Sequence, residues 1–226
     1  MSASESDSAP VIAIDGPSAS GKGTVAARVA AALGFHYLDS GALYRLATLA
    51  AQRAGVDLED GAALARVART MDVGFRDAAV FLGGEDVTQA MRTEDVSAAA
   101  SRVAARPAVR AALLERQRDF ARPPGLVADG RDMGSVVFPD AALKVFLTAG
   151  VETRAERRYK QLMEKGMYAK IADVVEELRR RDERDSSRPV APLKHYPDAI
   201  FLDTTGLTVE QAVDKVLGWW RERASR

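Results

Sequence analysis

VIAIDGPSASGKGT, residues 11–24, decides the fold of this chain. An apolar, β-branched run ends at Asp15, a glycine-rich loop follows over Gly16–Thr24, and a helical pattern begins at Lys22. A strand, a loop with glycines five positions apart and a lysine, and then a helix are what a phosphate-binding P-loop requires. Backbone N–H groups and the helix N-terminus attract phosphate oxygens, and the lysine reaches the outer phosphates. The sequence therefore predicts a nucleoside triphosphate site.

The residue after the lysine separates this loop from several other P-loop classes. Gly23 follows Lys22, and the hydroxyl side chain comes one place later at Thr24. In switch GTPases the hydroxyl follows the lysine directly and ligates magnesium. The chain also contains no asparagine, so it lacks the Asn-Lys-x-Asp motif with which GTPases read guanine. These observations argue against a signalling GTPase, and the GKGT form resembles the nucleoside monophosphate kinases.

Apolar runs and helical patterns alternate along the rest of the chain. Together with Val11–Asp15, the predicted strands are Phe35–Asp39, Leu126–Asp129, Leu143–Thr148 and Ala199–Asp203. The predicted helices are Lys22–Leu33, Ala42–Ala54, Pro107–Ala121 and one that begins at Thr208 with a capping box to Gln211. Near-continuous hydrophobicity is typical of strands buried on both faces. The pattern predicts an α/β fold, a P-loop NTPase-type doubly wound parallel sheet of about five strands.

Two stretches interrupt this alternation and predict further parts. Residues 41–105 contain short helices and the strand-like pieces Val73–Arg76 and Val80–Gly83, which indicates an inserted monophosphate-binding subdomain. Residues 151–188 are charged and helical with little apolar surface to anchor them, which favours a mobile helical lid. We expect residues 11–40, 106–150 and 189–226 to form the P-loop core, and residues 1–10 a disordered tail.

Composition limits the partners. Lys and Arg number 32 and Asp and Glu also number 32, so no net charge draws the chain to nucleic acid or an anionic membrane. Cysteine is absent and the two histidines, His36 and His195, lie far apart, which excludes thiolate and argues against imidazole metal sites. No apolar run reaches the roughly 18 residues of a membrane span. We expect a cytoplasmic monomer with small-molecule substrates, no nucleic acid and no membrane partner.

Three further segments make the comparison with known families specific. They are DSGALYR at residues 39–45, DGRDMGSVVFPDA at residues 129–141 and RDERD at residues 181–185. With these segments the chain resembles the bacterial cytidylate kinases over nearly its whole length after residue 10. The resemblance implies transfer of the terminal phosphoryl group of ATP to CMP and dCMP, with Mg²⁺ bridging the donor phosphates. It also implies an enlarged monophosphate-binding domain, in agreement with the insertion.

Phosphoryl transfer needs two anionic substrates held in line, with positive charge around the transferring group. Arg45, Arg131 and Arg188 lie in separate loops that can converge on an acceptor phosphate, and the resemblance gives them that role. It implies that Ser40 and Tyr44 line the same pocket. It assigns base recognition to Ser101, Arg110 and Asp132, and sugar recognition to Arg181 and Asp185. The expected catalytic residues are Lys22, Arg131, Arg188 and Asp129.

We expect the donor site to consist of the loop and three lid arginines. These residues are Gly16, Pro17, Ser18, Ala19, Ser20, Gly21, Lys22, Gly23, Thr24, Arg154, Arg157 and Arg158. The three arginines share one helix face, and the alternative is that they form an exposed charged surface. No side chain is expected to ligate the metal directly: ATP phosphates and water hold Mg²⁺, with Thr24 as the one candidate contact.

Two aspartates at strand ends carry different expectations. Asp129 ends a buried strand, where a carboxylate is costly without a cation or donors nearby. It either orients magnesium through water, pairs with an arginine of the site, or caps a helix or turn. Asp15 precedes the phosphate loop and is interpreted as structural.

Two other functions stay open at this point. One is a related kinase that acts on UMP, shikimate or another small acceptor, which the DSGALYR and DGRDMG segments oppose. The other is a regulatory module that binds nucleotide without transferring phosphate. An intact lysine, a charged lid and a second anion site oppose that interpretation.

Overall fold

A computed structural model describes residues 9–76 and 79–225 of the chain, and the first eight residues of the predicted tail lie outside this part. The chain divides into two compact units. Residues 9–38 and 120–225 form the first, here called the core unit, and Asp39–Asp119 form the second, here called the inserted unit.

The helices and strands follow in chain order. In the described residues, β1 to β8 are Val11–Asp15, His36–Asp39, Val73–Arg76, Ala79–Leu82, Glu85–Asp86, Leu126–Gly130, Leu143–Thr148 and Ile200–Asp203. The helices α1 to α8 are Lys22–Leu33, Ser40–Arg53, Gly61–Thr70, Glu94–Val103, Pro107–Arg118, Val151–Glu164, Ile171–Ser186 and Val209–Ala224. A 3₁₀ turn at Ala90–Arg92 and a π-helical turn at Met133–Val137 complete them.

The large sheet has five strands in the order β2-β6-β1-β7-β8, which confirms the predicted α/β architecture. β1 pairs in parallel with both β6 and β7, and β7 pairs in parallel with β8. Asp15 lies opposite Gly130 in this register. The carboxyl ends of parallel strands share one edge of a sheet, so the loops after β1 and β6 begin side by side.

Burial separates the central strands from the edge strands. Every residue of β1 and β6 is buried, as predicted for strands covered on both faces. β2 and β8 lie at the edges and expose Tyr37 to 36% and Phe201 to 54%. The prediction of burial on both faces is therefore wrong for these two strands, because apolar composition does not reveal position within a sheet.

The core beneath the sheet is aliphatic. Ile12, Ile14 and Leu147 from the central strands are fully buried, and Val29 of α1 and Val216 of α8 pack on them. The predicted capping box starts α8: the Thr208 hydroxyl accepts from the Gln211 N–H, and the Gln211 side chain accepts from the Thr208 N–H. Its two reciprocal bonds satisfy N–H groups that a helix start otherwise leaves unpaired.

Over residues 39–76 and 79–119, the inserted unit contains four helices, α2 to α5, and the antiparallel sheet β3-β4-β5. Asp39 caps α2 by accepting from the Ala42 N–H at 3.0 Å. The unit extends to Asp119, beyond the predicted limit of residue 105, and thus includes α5. α5 packs along α3, a tertiary contact that the local pattern could not reveal.

The charged helices α6 and α7 have more apolar contact than the sequence predicted. Ala155 and Leu162 of α6 pack against Val174 and Leu178 of α7, and all four are buried. Ala19 of the phosphate loop joins this cluster. The expectation of little anchoring surface is wrong, because a few apolar residues on each helix face the same small core.

Two glycines test how backbone conformation contributes to stability. Gly34 ends α1 at φ 65°, while Gly218 lies inside α8, and a Cβ at either meets no atom within 4 Å. Gly34→Ala should lower the free energy of unfolding by about 1–2 kcal/mol, because an L-residue is strained in that conformation. Gly218→Ala should raise it by about 0.5–1 kcal/mol. Urea unfolding measures the free energy of unfolding of both variants. A change of the same sign in both would contradict the left-handed conformation of Gly34 or the helical conformation of Gly218.

Candidate functional site

The phosphate loop is shaped by residues that have little or no side chain. Gly21 adopts φ 91° directly before α1, and Ala19 adopts φ 58°. A Cβ on Gly16 would lie 1.9 Å from the Leu147 carbonyl oxygen, so glycine is required for this close approach to β7. Lys22 Nζ donates to the Pro17 carbonyl oxygen at 3.3 Å, which folds the amine back along the loop. Glycines and a folded-back lysine thus determine the conformation of this loop, and phosphate binding by it stays a prediction.

Arg154 binds the first part of the phosphate loop through a backbone carbonyl. The side chain is 5% exposed, and its Nε donates to the Ala149 carbonyl at 2.9 Å. Nη1 donates to the Ser18 carbonyl at 3.2 Å, and Nη1 and Nη2 together form a bidentate pair with Asp182. Arg154 thus joins α6, α7 and the loop, and it contacts the loop through the Ser18 backbone carbonyl.

Arg157 binds the second part of the loop. Its Nη1 donates to the Ser20 carbonyl at 2.9 Å, and its Nη2 donates to the Thr204 carbonyl at 2.7 Å. The Thr204 hydroxyl donates to the Ser20 and Thr148 carbonyl oxygens at 3.2 and 3.0 Å. Two of the three predicted lid arginines therefore meet the phosphate loop, and the third, Arg158, is half-buried on the same helix.

Asp129 lies against the start of α1. Tyr37 donates to its Oδ2 at 2.7 Å, and a Cβ on Gly23 would lie 3.0 Å from the same oxygen. The carboxylate is 5% exposed. A residue larger than glycine after Lys22 would require this pair to move by a few tenths of an ångström, so the contact favours glycine at position 23.

Arg131 joins the phosphate loop to a buried acid. Its Nη2 donates to the Ser18 hydroxyl at 2.7 Å, and its Nε donates to Asp185 Oδ2 at 2.8 Å. Arg188 Nη2 lies 3.9 Å from the other oxygen of Asp185, and its Nε donates to the Asp185 carbonyl at 3.1 Å. Burial alone would raise the pKa of Asp185, but the two guanidinium groups outweigh it and lower that pKa. The carboxylate thus holds two arginines together.

Asp15 and Asp132 are buried beside this group, at 0% and 3% exposure. The carboxylate of Asp15 accepts from the backbone N–H groups of Met133 and Gly134 at 2.8 and 2.9 Å. It also accepts from the Tyr196 hydroxyl at 2.7 Å. Burial raises the pKa of Asp15, and the donated hydrogen bonds act in the opposite direction. Asp132 begins the π-helical turn that these amides belong to.

The remaining predicted acceptor residues belong to the inserted unit: Ser40, Tyr44, Arg45, Ser101 and Arg110. All except Arg45 are buried. Arg45 Nη2 donates to Asp39 at 2.6 Å. Arg110 lies 5.7 Å from the centre of the Tyr44 ring and donates to the Ala104 carbonyl at 3.1 Å. Two of the five predicted residues, Tyr44 and Arg110, therefore meet directly within this unit.

Several residues that hold the side chains and loops of the site in place were not predicted from the sequence, and Asp15 was interpreted as structural. Thr204 follows β8 at the carboxyl edge of the sheet, a position that signals ligand contact in parallel sheets. Tyr37, Asp182 and Tyr196 gave no signal, because each acts through a partner distant in sequence. Arg181 is half-buried on α7, one residue before Asp182.

Residues 9–76 and 79–225 contain neither a cluster of metal-ligating side chains nor a membrane-spanning helix. No group of three or more His, Cys, Asp or Glu side chains in this range is arranged to hold a metal ion. In the same part of the chain, no helix has the length and apolar character needed to cross a membrane.

The phosphate loop on a central parallel strand, with buried arginines at the same sheet edge, defines a P-loop kinase. The cytidylate kinase family model matches residues 12–222. A cytidylate kinase of Chromobacterium violaceum is 62% identical over 95% of this chain and 96% of its own length. Cytidylate kinases of Nitrosomonas europaea and Bordetella bronchiseptica are 57% and 59% identical over 94% of this chain and 96% of their own lengths. The chain therefore belongs to the cytidylate kinase family, whose members are phosphotransferases.

The buried pair between Arg131 and Asp185 predicts an acid-sensitive contribution to stability. Asp185→Asn should lower the free energy of unfolding by about 3 kcal/mol at neutral pH, because two buried guanidinium groups lose their carboxylate. Since the folded pKa lies below the ordinary 3.8, the contribution is complete above pH 3.8 and is lost as pH falls through the folded value.

Urea unfolding as a function of pH measures this effect. The variant should lack the part of the acid destabilisation that Asp185 causes in the wild type. Glu183→Gln is the matched control, since this acid is exposed on the same helix. Equal stability of Asp185→Asn and Glu183→Gln would show that Asp185 contributes nothing to the folded state.

Proposed function

We propose that the chain transfers the terminal phosphoryl group of ATP, bound with Mg²⁺, to CMP and dCMP, giving ADP and the diphosphate. One observation carries the proposal: Arg131 contacts Ser18 of the phosphate loop at 2.7 Å and shares Asp185 with Arg188. A second cationic site thus lies directly beside the donor loop. Two anion sites in contact are what phosphoryl transfer between two nucleotides needs.

The donor side uses the loop Gly16–Thr24 and the N-terminus of α1 to bind the phosphates of ATP. Lys22 leaves the Pro17 carbonyl and binds the outer phosphates, where it stabilises the charge of the transition state. Magnesium enters as part of the MgATP substrate, and the residues near Lys22 that suit it are Thr24 and Asp129. Asp129 suits it through water, because its carboxylate is buried beside Gly23.

The acceptor phosphate binds to Arg131 and Arg188, and the family resemblance assigns Arg45, Ser40 and Tyr44 to the same ligand. Asp185 holds Arg131 and Arg188 before the substrate arrives, so less reorganisation is required on binding. In the complex, Asp185 and Arg181 also bind the sugar. Arg131, which contacts both Ser18 and Asp185, is the residue suited to follow the phosphoryl group during transfer.

The base is read by Asp132 together with Ser101 and Arg110. Cytosine presents an exocyclic amine donor where uracil presents a carbonyl acceptor, so a carboxylate at that edge favours cytosine. Asp132 is the carboxylate next to Arg131 and is 3% exposed. A buried acid with a donor from the ligand distinguishes the two bases, whereas shape alone does not.

Residues 151–188 act as the lid in this proposal, closing over the donor triphosphate and excluding water. Arg154 and Arg157 bind the phosphate loop, Arg158 lies on the same helix, and we assign all three arginines to the donor site. We further propose that the enzyme works as a monomer in the cytoplasm, with nucleotides rather than nucleic acid or membranes as its partners. The balanced charge supports the absence of nucleic-acid and anionic-membrane partners.

The proposal is tested by mixing the protein with MgATP and, in turn, with each nucleoside monophosphate and with shikimate, and measuring ADP release. CMP and dCMP should support turnover, and UMP should support much less. Faster turnover with UMP or shikimate than with CMP would show that CMP is not the preferred acceptor. Nucleotide binding without ADP release would indicate a regulatory module.

Lys22→Ala should lower kcat by orders of magnitude while the affinity for CMP changes little, because the ammonium group stabilises charge that develops mainly in the transition state. Steady-state kinetics and CMP titration of the same preparations measure the two effects. Lys215→Ala, on an exposed position of α8, is the matched control. Near-normal kcat in Lys22→Ala would remove the phosphate-loop assignment.

Asp132→Ala should lower kcat/KM for CMP by about 10- to 150-fold, because a hydrogen bond to a charged group contributes about 1.5–3 kcal/mol. Its weak activity on UMP should fall much less. Asp132→Asn should lower the ratio of kcat/KM for CMP to kcat/KM for UMP further than Asp132→Ala does, since its amide can donate to the uracil carbonyl. Competition between CMP and UMP measures the ratio, and the exposed Asp140→Asn is the control. If both Asp132 variants keep the wild-type preference, Asp132 does not read the base.

A further inference from the structure

The Asp15 carboxylate joins three segments that are distant in sequence. It lies at the end of β1, directly before the phosphate loop, and is completely buried. Its Oδ1 accepts from the Met133 N–H, and its Oδ2 accepts from the Gly134 N–H and the Tyr196 hydroxyl. Three donors converge on one carboxylate, and charge-assisted bonds of this kind are roughly twice as strong as neutral ones.

The two amides fix the backbone immediately after Asp132. On the other side, the Asp132 carbonyl accepts from the N–H groups of Val136 and Val137 at 3.0 and 3.2 Å. Asp132 itself lies outside helical geometry, at φ −150° and ψ 23°. With its carbonyl held by the π-helical turn and the following amides held by Asp15, the backbone of Asp132 is fixed, and with it the direction of the Cα–Cβ bond from which the side chain extends.

Tyr196 strengthens this arrangement from the segment that follows Arg188. Its ring packs so closely on the turn that a Cβ on Gly134 would lie 2.2 Å from the tyrosine hydroxyl. Lys144 lies 5.9 Å from the centre of the Tyr196 ring and pairs with Asp198 at 2.5 Å. The hydroxyl that bonds Asp15 is therefore held by packing as well as by its hydrogen bond.

We propose that Asp15 is a positioning residue for the acceptor: it holds the turn that carries Arg131 and Asp132, with Tyr196 as its support. The inference rests on the proposed function, in which these two residues contact CMP. It differs from support of the donor loop, although Asp15 precedes that loop in sequence. Among the described residues, the donors to its carboxylate are Met133, Gly134 and Tyr196, none of which belongs to Gly16–Thr24.

Two substitutions test the proposal at different strengths. In Asp15→Asn, the amide oxygen can accept from one backbone N–H, but the NH₂ group then faces another donor, which loses its partner. Tyr196→Phe keeps the ring and removes one donor. Misplacing a binding group by about 1 Å can cost about 100-fold in rate. We expect kcat/KM for CMP to fall by about 10- to 100-fold in Asp15→Asn and by less in Tyr196→Phe.

The pattern of effects distinguishes positioning from general damage. In both variants the CMP-to-UMP ratio should narrow, because Asp132 loses its fixed direction, while KM for ATP should stay within about threefold. Gly34→Ala is the control for lost stability, since it lies at the far end of α1 from the phosphate loop. The assay is run at a temperature at which circular dichroism shows that Gly34→Ala is folded. Under that condition the variant should change neither the ratio of kcat/KM for CMP to kcat/KM for UMP nor KM for CMP.

Three results would overturn the proposal. The first is an unchanged CMP-to-UMP ratio in both variants while Asp132→Ala does change it. The second is a rise in KM for ATP that exceeds the rise for CMP, which would mean that Asp15 supports the donor loop. The third is the same kinetic change in Gly34→Ala. An unchanged ratio in Asp132→Ala itself would instead show that the proposed base recognition has failed, and with it this inference.

Discussion

Positive charge has to be held in place before any phosphate arrives, and this constraint organises the core unit. Arg131, Arg154 and Arg188 each have side chains with little exposure, where an unpaired guanidinium group is costly. Two acids of the same helix solve this: Asp182 pairs with Arg154, and Asp185 pairs with Arg131 and Arg188. α7 thus functions as the counterion of the site. The RDERD segment is where the sequence encodes it.

The same pairing leaves the phosphate loop free of anionic side chains. Arg154 and Arg157 reach the loop through carbonyl oxygens of Ser18 and Ser20, not through carboxylates. Bonds to carbonyl oxygens use acceptors of the loop backbone and none of its N–H groups. The arginines therefore stabilise the loop conformation and leave its donors available for phosphate. Apolar packing of Ala19 with α6 and α7 acts in the same direction.

Local patterns predicted the parts of the structure whose causes are local. The phosphate loop, the five strands of the large sheet and the capping box at Thr208 each follow from residues within about fifteen positions, and each is present. The inclusion of α5 in the inserted unit and the small core between α6 and α7 depend on contacts between distant segments. The same is true of the site. The loop residues were identifiable, but the bonds from Tyr196 to Asp15 and from Tyr37 to Asp129 join residues 181 and 92 positions apart.

The departure of this loop from the GTPase form has a physical explanation in these distant contacts. Position 23 faces Asp129, whose oxygen would lie 3.0 Å from any Cβ there, and Tyr37 holds that oxygen by a hydrogen bond. Asp129 is the next-to-last residue of β6 and Asp15 is the last residue of β1, so neighbouring strands place two buried acids near one sheet edge. One acid lies against the start of α1 beside Lys22, and the other holds the turn that follows Arg131. In the proposed reaction, adjacent strands of one parallel sheet thus fix the donor side and the acceptor side relative to each other, which is the alignment that in-line transfer requires.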